Sequence, residues 1–177
     1  MSPSDAPEVW LRGPLPGYDP LVMPAAHALL QVREDIDRLV ATVSDADIWQ
    51  RPGGAASIGF HIRHTAGALD RLYTYARGEM LSDAQKVFLR EEGQAGEPPA
   101  SLREVAAAAQ TTIDRALLQL RSTPGAVLLE PRRVGRAGLP STTLGLLFHG
   151  AEHATRHIGQ AITTARILSG TGGADGA

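Results

Sequence analysis

Apolar residues recur at helical spacing in four long stretches of the chain. In the first stretch, Leu29, Val32 and Ile36 follow one another at intervals of three or four residues. This spacing is typical of an amphipathic helix with one face turned to a core. The long helices predicted in this way cover residues 19–43, 58–77, 102–121 and 144–168.

Local signals predict where the helices begin. Gln85 and Glu104 each follow a serine by three residues, the spacing of a capping box. The first of these boxes opens an additional short helix that ends near residue 92. The predicted N-caps are Asp19, Ser57, Ser82, Ser101 and either Ser141 or Thr142, with Pro24 as an alternative marker for the start of the first helix.

The segments between and outside these helices are rich in proline and glycine. Residues 1–18 are expected to be extended and laid along the surface by Trp10 and Leu11. Residues 126–140 read as a long loop with room for one brief strand pair, and residues 169–177 as a disordered tail. One all-α domain over residues 19–168, built as a four-helix bundle, is therefore predicted.

Composition narrows the classes of function. The 177 residues carry a net charge of −2 and no cysteine. The small negative charge disfavours broad electrostatic binding to nucleic acid. The lack of cysteine excludes disulfides, thiolate metal sites and a cysteine nucleophile. The first ten residues lack a basic region followed by an apolar run, and no apolar run reaches about 18 residues, so neither a signal peptide nor a membrane span is expected. We therefore expect a cytoplasmic protein that acts on a small molecule rather than on a membrane.

The last predicted helix carries three of the six histidines, His149, His153 and His157. Neighbours in this series lie one turn apart and can share a metal ion, whereas the outer two are about 12 Å apart along the axis. The choice is thus His149 with His153, or His153 with His157. Helical phase places His153 and His157 beyond the edge of the charged arc that contains Glu152 and Arg156, whereas His149 lies closer to that arc. A polar helix face with incidental histidines is the alternative.

The second helix adds His61 and His64. His61 lies deeper on the apolar side and is interpreted as a core histidine, whereas His64 lies at the flank of that side. His27 has no partner at ligand spacing. If the second and last long helices are neighbours, three imidazoles can converge on an open site suited to one divalent ion, with zinc and nickel favoured.

The chain lacks the histidine–glutamate motifs of two other classes of metal site. A zinc-protease helix needs glutamate where Ala154 stands, and no glutamate has a histidine three residues later, as ferritin-like di-iron helices require. The loop arginines, Arg132, Arg133 and Arg136, could meet an anionic ligand or simply be solvated.

Three segments resemble the DinB-like (YfiT-like) proteins. SIGFHIRHTAGALDRLYTYARGE is similar to their second helix, HATRHIGQ to an element of their last helix, and DIWQRPGG to the lead-in of the second helix. The resemblance runs over residues 19–168. It implies a four-helix bundle with a long crossover connection, a homodimer, and metal ligands at His64, His153 and His157.

Within this resemblance, His61 takes a position that is usually aliphatic, His149 lies outside the matching element, and Ile158 replaces an arginine of the family. Some relatives transfer low-molecular-weight thiols. The first hypothesis is therefore a metal-dependent enzyme, specifically a thiol S-transferase, with the Arg132–Arg136 loop holding the carboxylate of the thiol. The alternatives are a non-catalytic, stress-associated binding or structural bundle, and a metal-dependent hydrolase.

Overall fold

Five α-helices and one β-hairpin form the part of the chain that the computed structural model describes, residues 6–171. Strand β1, Pro131–Val134, pairs antiparallel with strand β2, Leu139–Thr142. The predicted all-α class is confirmed, because this hairpin is the single sheet in the described part. The helices are α1 Met23–Thr42, α2 Ile58–Ala76, α3 Asp83–Glu91, α4 Leu102–Ser122 and α5 Thr143–Thr171.

The four long helices pack around one core. Helix α1 packs against α4 and α5, and α2 packs against the same two helices, so α1 and α2 lie at opposite corners. Residues 43–57 therefore cross from one corner to the other. Full burial of a leucine or isoleucine contributes about 1.5–3 kcal/mol. The core includes Leu29, Ile36, Ile62, Leu69, Ile113, Leu120, Leu147 and Ile158.

The helix starts follow from hydrogen bonds that the sequence predicts. The amide of Phe60 donates to Ser57 Oγ (3.1 Å), and both predicted capping boxes, at Ser82 and Ser101, are formed. The amide of Gly145 donates to Thr142 Oγ1 (3.0 Å), so Thr142 rather than Ser141 caps α5. These caps satisfy amides that have no partner inside the helix.

Two predicted helix ends differ from the structure. Helix α1 begins at Met23 rather than after Asp19, because Asp19 Oδ1 accepts from the amide of Leu21 (2.8 Å) in a separate turn. Pro24 lies in the first turn of α1, so the alternative start that it marks is confirmed. Helix α5 continues to Thr171, so residues 169–171 are helical rather than part of a tail. The rest of the predicted tail, residues 172–177, lies outside the described residues.

The N-terminal segment lies against α1, but not through the predicted side chains. Trp10 and Leu11 are 61% and 57% exposed, whereas Val9 is 5% exposed within a short 3-10 helix. The amide of Val9 donates to Gln31 Oε1 (3.1 Å), and Arg12 forms an ion pair with Glu34. The prediction that Trp10 and Leu11 anchor this segment is therefore wrong. Residues 1–5, the start of the predicted extended segment, lie outside the described part of the chain.

Glycines let α2 approach its neighbours closely. A Cβ atom on Gly150 of α5 would lie 2.7 Å from the ring of Tyr73, and the Tyr73 hydroxyl donates to the carbonyl of Leu147 (3.2 Å). A Cβ on Gly59 would lie 2.8 Å from the ring of Trp49. Close contact between α2 and α5 is what brings their histidines within reach of each other.

Candidate metal centre

Helices α2 and α5 each contribute histidines to one site near the middle of their interface. His64 lies on α2, and His153 and His157 lie one turn apart on α5. His64 Nε2 is 3.0 Å from His153 Nε2. The ring centroids of His64 and His157 are 4.4 Å apart, and those of His153 and His157 are 4.5 Å apart.

These three residues form a group that could hold a metal ion. One nitrogen from each ring can be chosen so that all three lie within 4.8 Å of one another. Nitrogen–metal bonds of about 2.0–2.1 Å are normal for zinc, and three donors this close together can share one ion. The structure thus brings together the three residues that the sequence proposed as ligands.

The other histidines occupy different positions. His149 is exposed, and its Nδ1 lies 3.3 Å from Glu152 Oε2 on the outer face of α5. His27 lies on α1, with Nε2 3.1 Å from the carbonyl of Gly13. His61 is buried, as predicted, but its Nδ1 lies 3.1 Å from His157 Nδ1. The sequence did not indicate that contact, because it depends on how α2 and α5 are aligned.

Burial keeps two of the clustered imidazoles, those of His153 and His157, neutral. The pKa of His157 is lowered to about 4, mainly by desolvation and then by repulsion from His64, His153 and His61. Desolvation also lowers the pKa of His153, with repulsion from His64 as the next cause. A neutral imidazole has a free lone pair, which is the form that binds a metal ion.

An aromatic ring covers one side of the site. Phe60 stacks on His64 with ring centroids 5.2 Å apart and 19° between the planes. It also meets His157 edge-on at 6.3 Å. Phe60 thereby restricts the rotation of two of the three rings and excludes water from that side.

A buried carboxylate contacts the cluster from behind. His64 Nδ1 donates to Glu92 Oε1 (2.5 Å), and Arg71 Nη1 donates to Glu92 Oε2 (3.0 Å). Burial alone would raise the pKa of Glu92, but hydrogen bonds from His64 and Arg71 outweigh it and hold the pKa below its usual range. Glu92 is therefore an ionised acceptor at neutral pH.

The hydrogen bonding fits a metal as the missing partner. His64 Nδ1 is engaged by Glu92, which leaves Nε2 as the nitrogen that His64 directs toward His153. His157 Nδ1 is occupied by His61, which leaves the other nitrogen of His157 free to bind. Among the described residues nothing partners the buried Nδ1 of His153. Ligating histidines usually engage their second nitrogen in this way, and two of these three do.

Comparison with known protein families shows to which family the chain belongs. The sequence profile of the DinB superfamily matches residues 28–161, which include all three clustered histidines and most of the bundle. This chain belongs to the DinB superfamily. None of the curated proteins matches it.

Two residues of this DinB superfamily site were missed at the level of sequence. Arg71 follows His64 by seven residues and so lies on the same face of α2, a signal that was available. No sequence signal pointed to Glu92, because it follows a short polar helix and comes close to His64 only in the folded protein.

Arg132 in the hairpin is engaged by residues away from the candidate metal site. Arg132 donates to the carbonyl of Ala76 (2.8 Å) and to Glu130 (2.9 Å). Ala76 ends α2, roughly 18 Å along the helix axis from His64. Arg132 therefore does not lie beside the histidine cluster, whereas the expectation that the Arg132–Arg136 loop holds the carboxylate of a thiol stays a prediction. None of the described helices is long and apolar enough to cross a membrane.

Proposed function

We propose that this DinB superfamily protein binds one divalent metal ion, zinc or nickel, through His64, His153 and His157. The observation that carries the proposal is the convergence of three imidazoles from two helices, with donor atoms within 4.8 Å of one another. Imidazole ligands suit both of these ions. A site with three protein ligands keeps a position open for a substrate or a water molecule.

We further propose that the protein is a thiol-dependent S-transferase. A bound divalent ion would hold the sulfur of a low-molecular-weight thiol as the nucleophilic thiolate. The chain's own residues would align the site, because Glu92 fixes His64 and Phe60 restricts the rings of His64 and His157.

One contact favours this reaction over hydrolysis. Hydrolysis by a metal-bound water usually needs a nearby base to accept a proton. Glu92 is the carboxylate that the described hydrogen bonds place on the cluster, and both of its oxygens are already engaged, by His64 and Arg71. A thiol that is already deprotonated at the metal needs no such base.

Cobalt substitution tests both parts of the proposal. Metal-free protein titrated with Co²⁺ should give a visible spectrum that saturates at one ion per chain. Addition of a low-molecular-weight thiol should then produce a sulfur-to-cobalt charge-transfer band, and an electrophile should consume the thiol. Saturation without any response to thiols would leave a metal-binding bundle and reject the transferase. No saturable spectrum would reject the metal site itself.

A further inference from the structure

The contacts behind His64 form a connected unit of three residues. Glu92 is 5% exposed and Arg71 is 9% exposed, so a carboxylate and a guanidinium are buried together beside the histidine cluster. Their ion pair measures 3.0 Å. Burying either charge without the other would be strongly destabilising, so each residue requires its partner.

The third member, Gly67, makes space for the pair on α2. A Cβ atom at this position would lie 2.7 Å from Arg71 Nη1, 2.7 Å from Glu92 Oε2 and 2.6 Å from the ring of Phe88. Real Cβ atoms essentially never show contacts below 3.0 Å, so a side chain at this position would require Arg71, Glu92 and Phe88 to shift. The pair therefore lies directly on the helix backbone, one turn from His64.

We propose that Glu92 is a positioning residue, held by Arg71 in the slot at Gly67, that fixes the tautomer and the ring orientation of His64. The inference rests on the proposed metal site and identifies what prepares it. Arg71 donates to Glu92 Oε2, so the carboxylate presents Oε1 as the acceptor for His64 Nδ1 and the ring directs Nε2 into the cluster. That Nε2 atom faces His153 Nε2 at 3.0 Å, inside the cluster.

The arrangement also has a structural consequence, which the test must separate from the positioning role. Helix α3 has no buried side chains of its own, and Glu92 directly follows it. The ion pair with Arg71 therefore fastens α3 to α2. A purely structural Glu92 would alter the stability of the fold but leave the tautomer and the metal affinity of the folded protein unchanged.

The experiment combines ring-nitrogen NMR with metal titration. In metal-free wild-type protein, the ¹⁵N spectrum of His64 should show the proton on Nδ1. In Glu92→Gln, whose amide can also donate, the Nε2-protonated tautomer should appear and Co²⁺ affinity should fall about 10–100-fold. The Co²⁺ affinity of Glu92→Asp should lie between those of the wild type and Glu92→Gln. Glu91→Gln, an exposed neighbour on α3, is the matched control and should behave like the wild type.

Each result has a separate meaning. A wild-type His64 protonated on Nε2 overturns the proposal without any variant, even if Glu92→Gln fails to fold. Unchanged tautomer and affinity in a folded Glu92→Gln protein also overturn it, while the metal site survives. If wild-type protein binds no metal but shows the expected tautomer that Glu92→Gln loses, the proposed function fails and the positioning role stands.

Discussion

At the scale of single residues, the histidines divide by what surrounds them. His149 and His153 differ by one turn of α5, yet the first faces solvent and the second faces α2. His61 and His157 touch across the interface at 3.1 Å. A residue's chemistry in this protein is therefore set by the helix face that it occupies and by the partner helix that this face meets.

The lowered pKa of His157 predicts how the metal-free protein responds to acid. The unfolded chain takes up a proton on this residue near its ordinary value of 6.5, whereas the folded protein resists protonation down to about 4. The unfolded state then binds more protons, so the free energy of unfolding should fall as the pH drops from 6.5 toward 4. Urea unfolding at several pH values measures this. His157→Gln should show a shallower decline, and an increase in stability over that range would contradict the argument.

At the scale of the helices, the α2–α5 interface determines the site. Tyr73 lies flat against Gly150, and its hydroxyl reaches the carbonyl of Leu147, so the two backbones approach closely. His64 on α2 lies about nine residues, or roughly 13 Å, from Tyr73 along the axis. A wider spacing of α2 and α5 at Gly150 should therefore also change the distances between the clustered histidines.

Alanine at Gly150 should damage both stability and metal binding. The new Cβ would clash with the Tyr73 ring, and overpacking of this kind costs about 1–3 kcal/mol. Gly159→Ala on the same helix is the matched control, because its Cβ meets nothing within 4 Å, and it should stabilise by about 0.5–1 kcal/mol. Thermal unfolding and Co²⁺ titration of the two variants compare them. Equal behaviour would show that the interface tolerates a wider spacing.

At this scale the sequence predicted the contacts between residues close together in the chain and missed those between residues far apart in it. The caps of α2, α3 and α4 were predictable because Ser57, Ser82 and Ser101 bond to amides three residues away. The start of α1 was mistaken because Asp19 makes the same kind of bond in a turn that does not continue into the helix. Glu92 and the contact of His61 with His157 depend on tertiary packing, and no local pattern encodes them.

At the scale of the whole molecule, the bundle leaves large apolar side chains exposed on two of its long helices. Leu118 on α4 and both Phe148 and Ile167 on α5 are exposed. Leaving such side chains in water gives up the favourable free energy of burying them. Together with the homodimer implied by the DinB-like resemblance, they are the basis for expecting self-association.

Light scattering measures that association directly. At micromolar concentration the full chain should have twice the monomer mass of 18.7 kDa. Phe148→Ser should weaken the dimer if α5 contributes to the contact, whereas Met80→Ser, an exposed apolar residue outside the long helices, should not. A mass of one chain for the wild type at this concentration would show that the protein is a monomer.

The central claim is that His64, His153 and His157 hold one divalent ion, and elemental analysis of purified single variants tests it most directly. Wild type and His149→Ala should each retain one ion per chain, because His149 lies outside the cluster whose donor atoms lie within 4.8 Å. His64→Ala, His153→Ala and His157→Ala should each lose most of the metal while remaining helical by circular dichroism. If His149→Ala loses the ion while His157→Ala keeps it, the ligands are shifted by one turn of α5 and the proposed site is wrong.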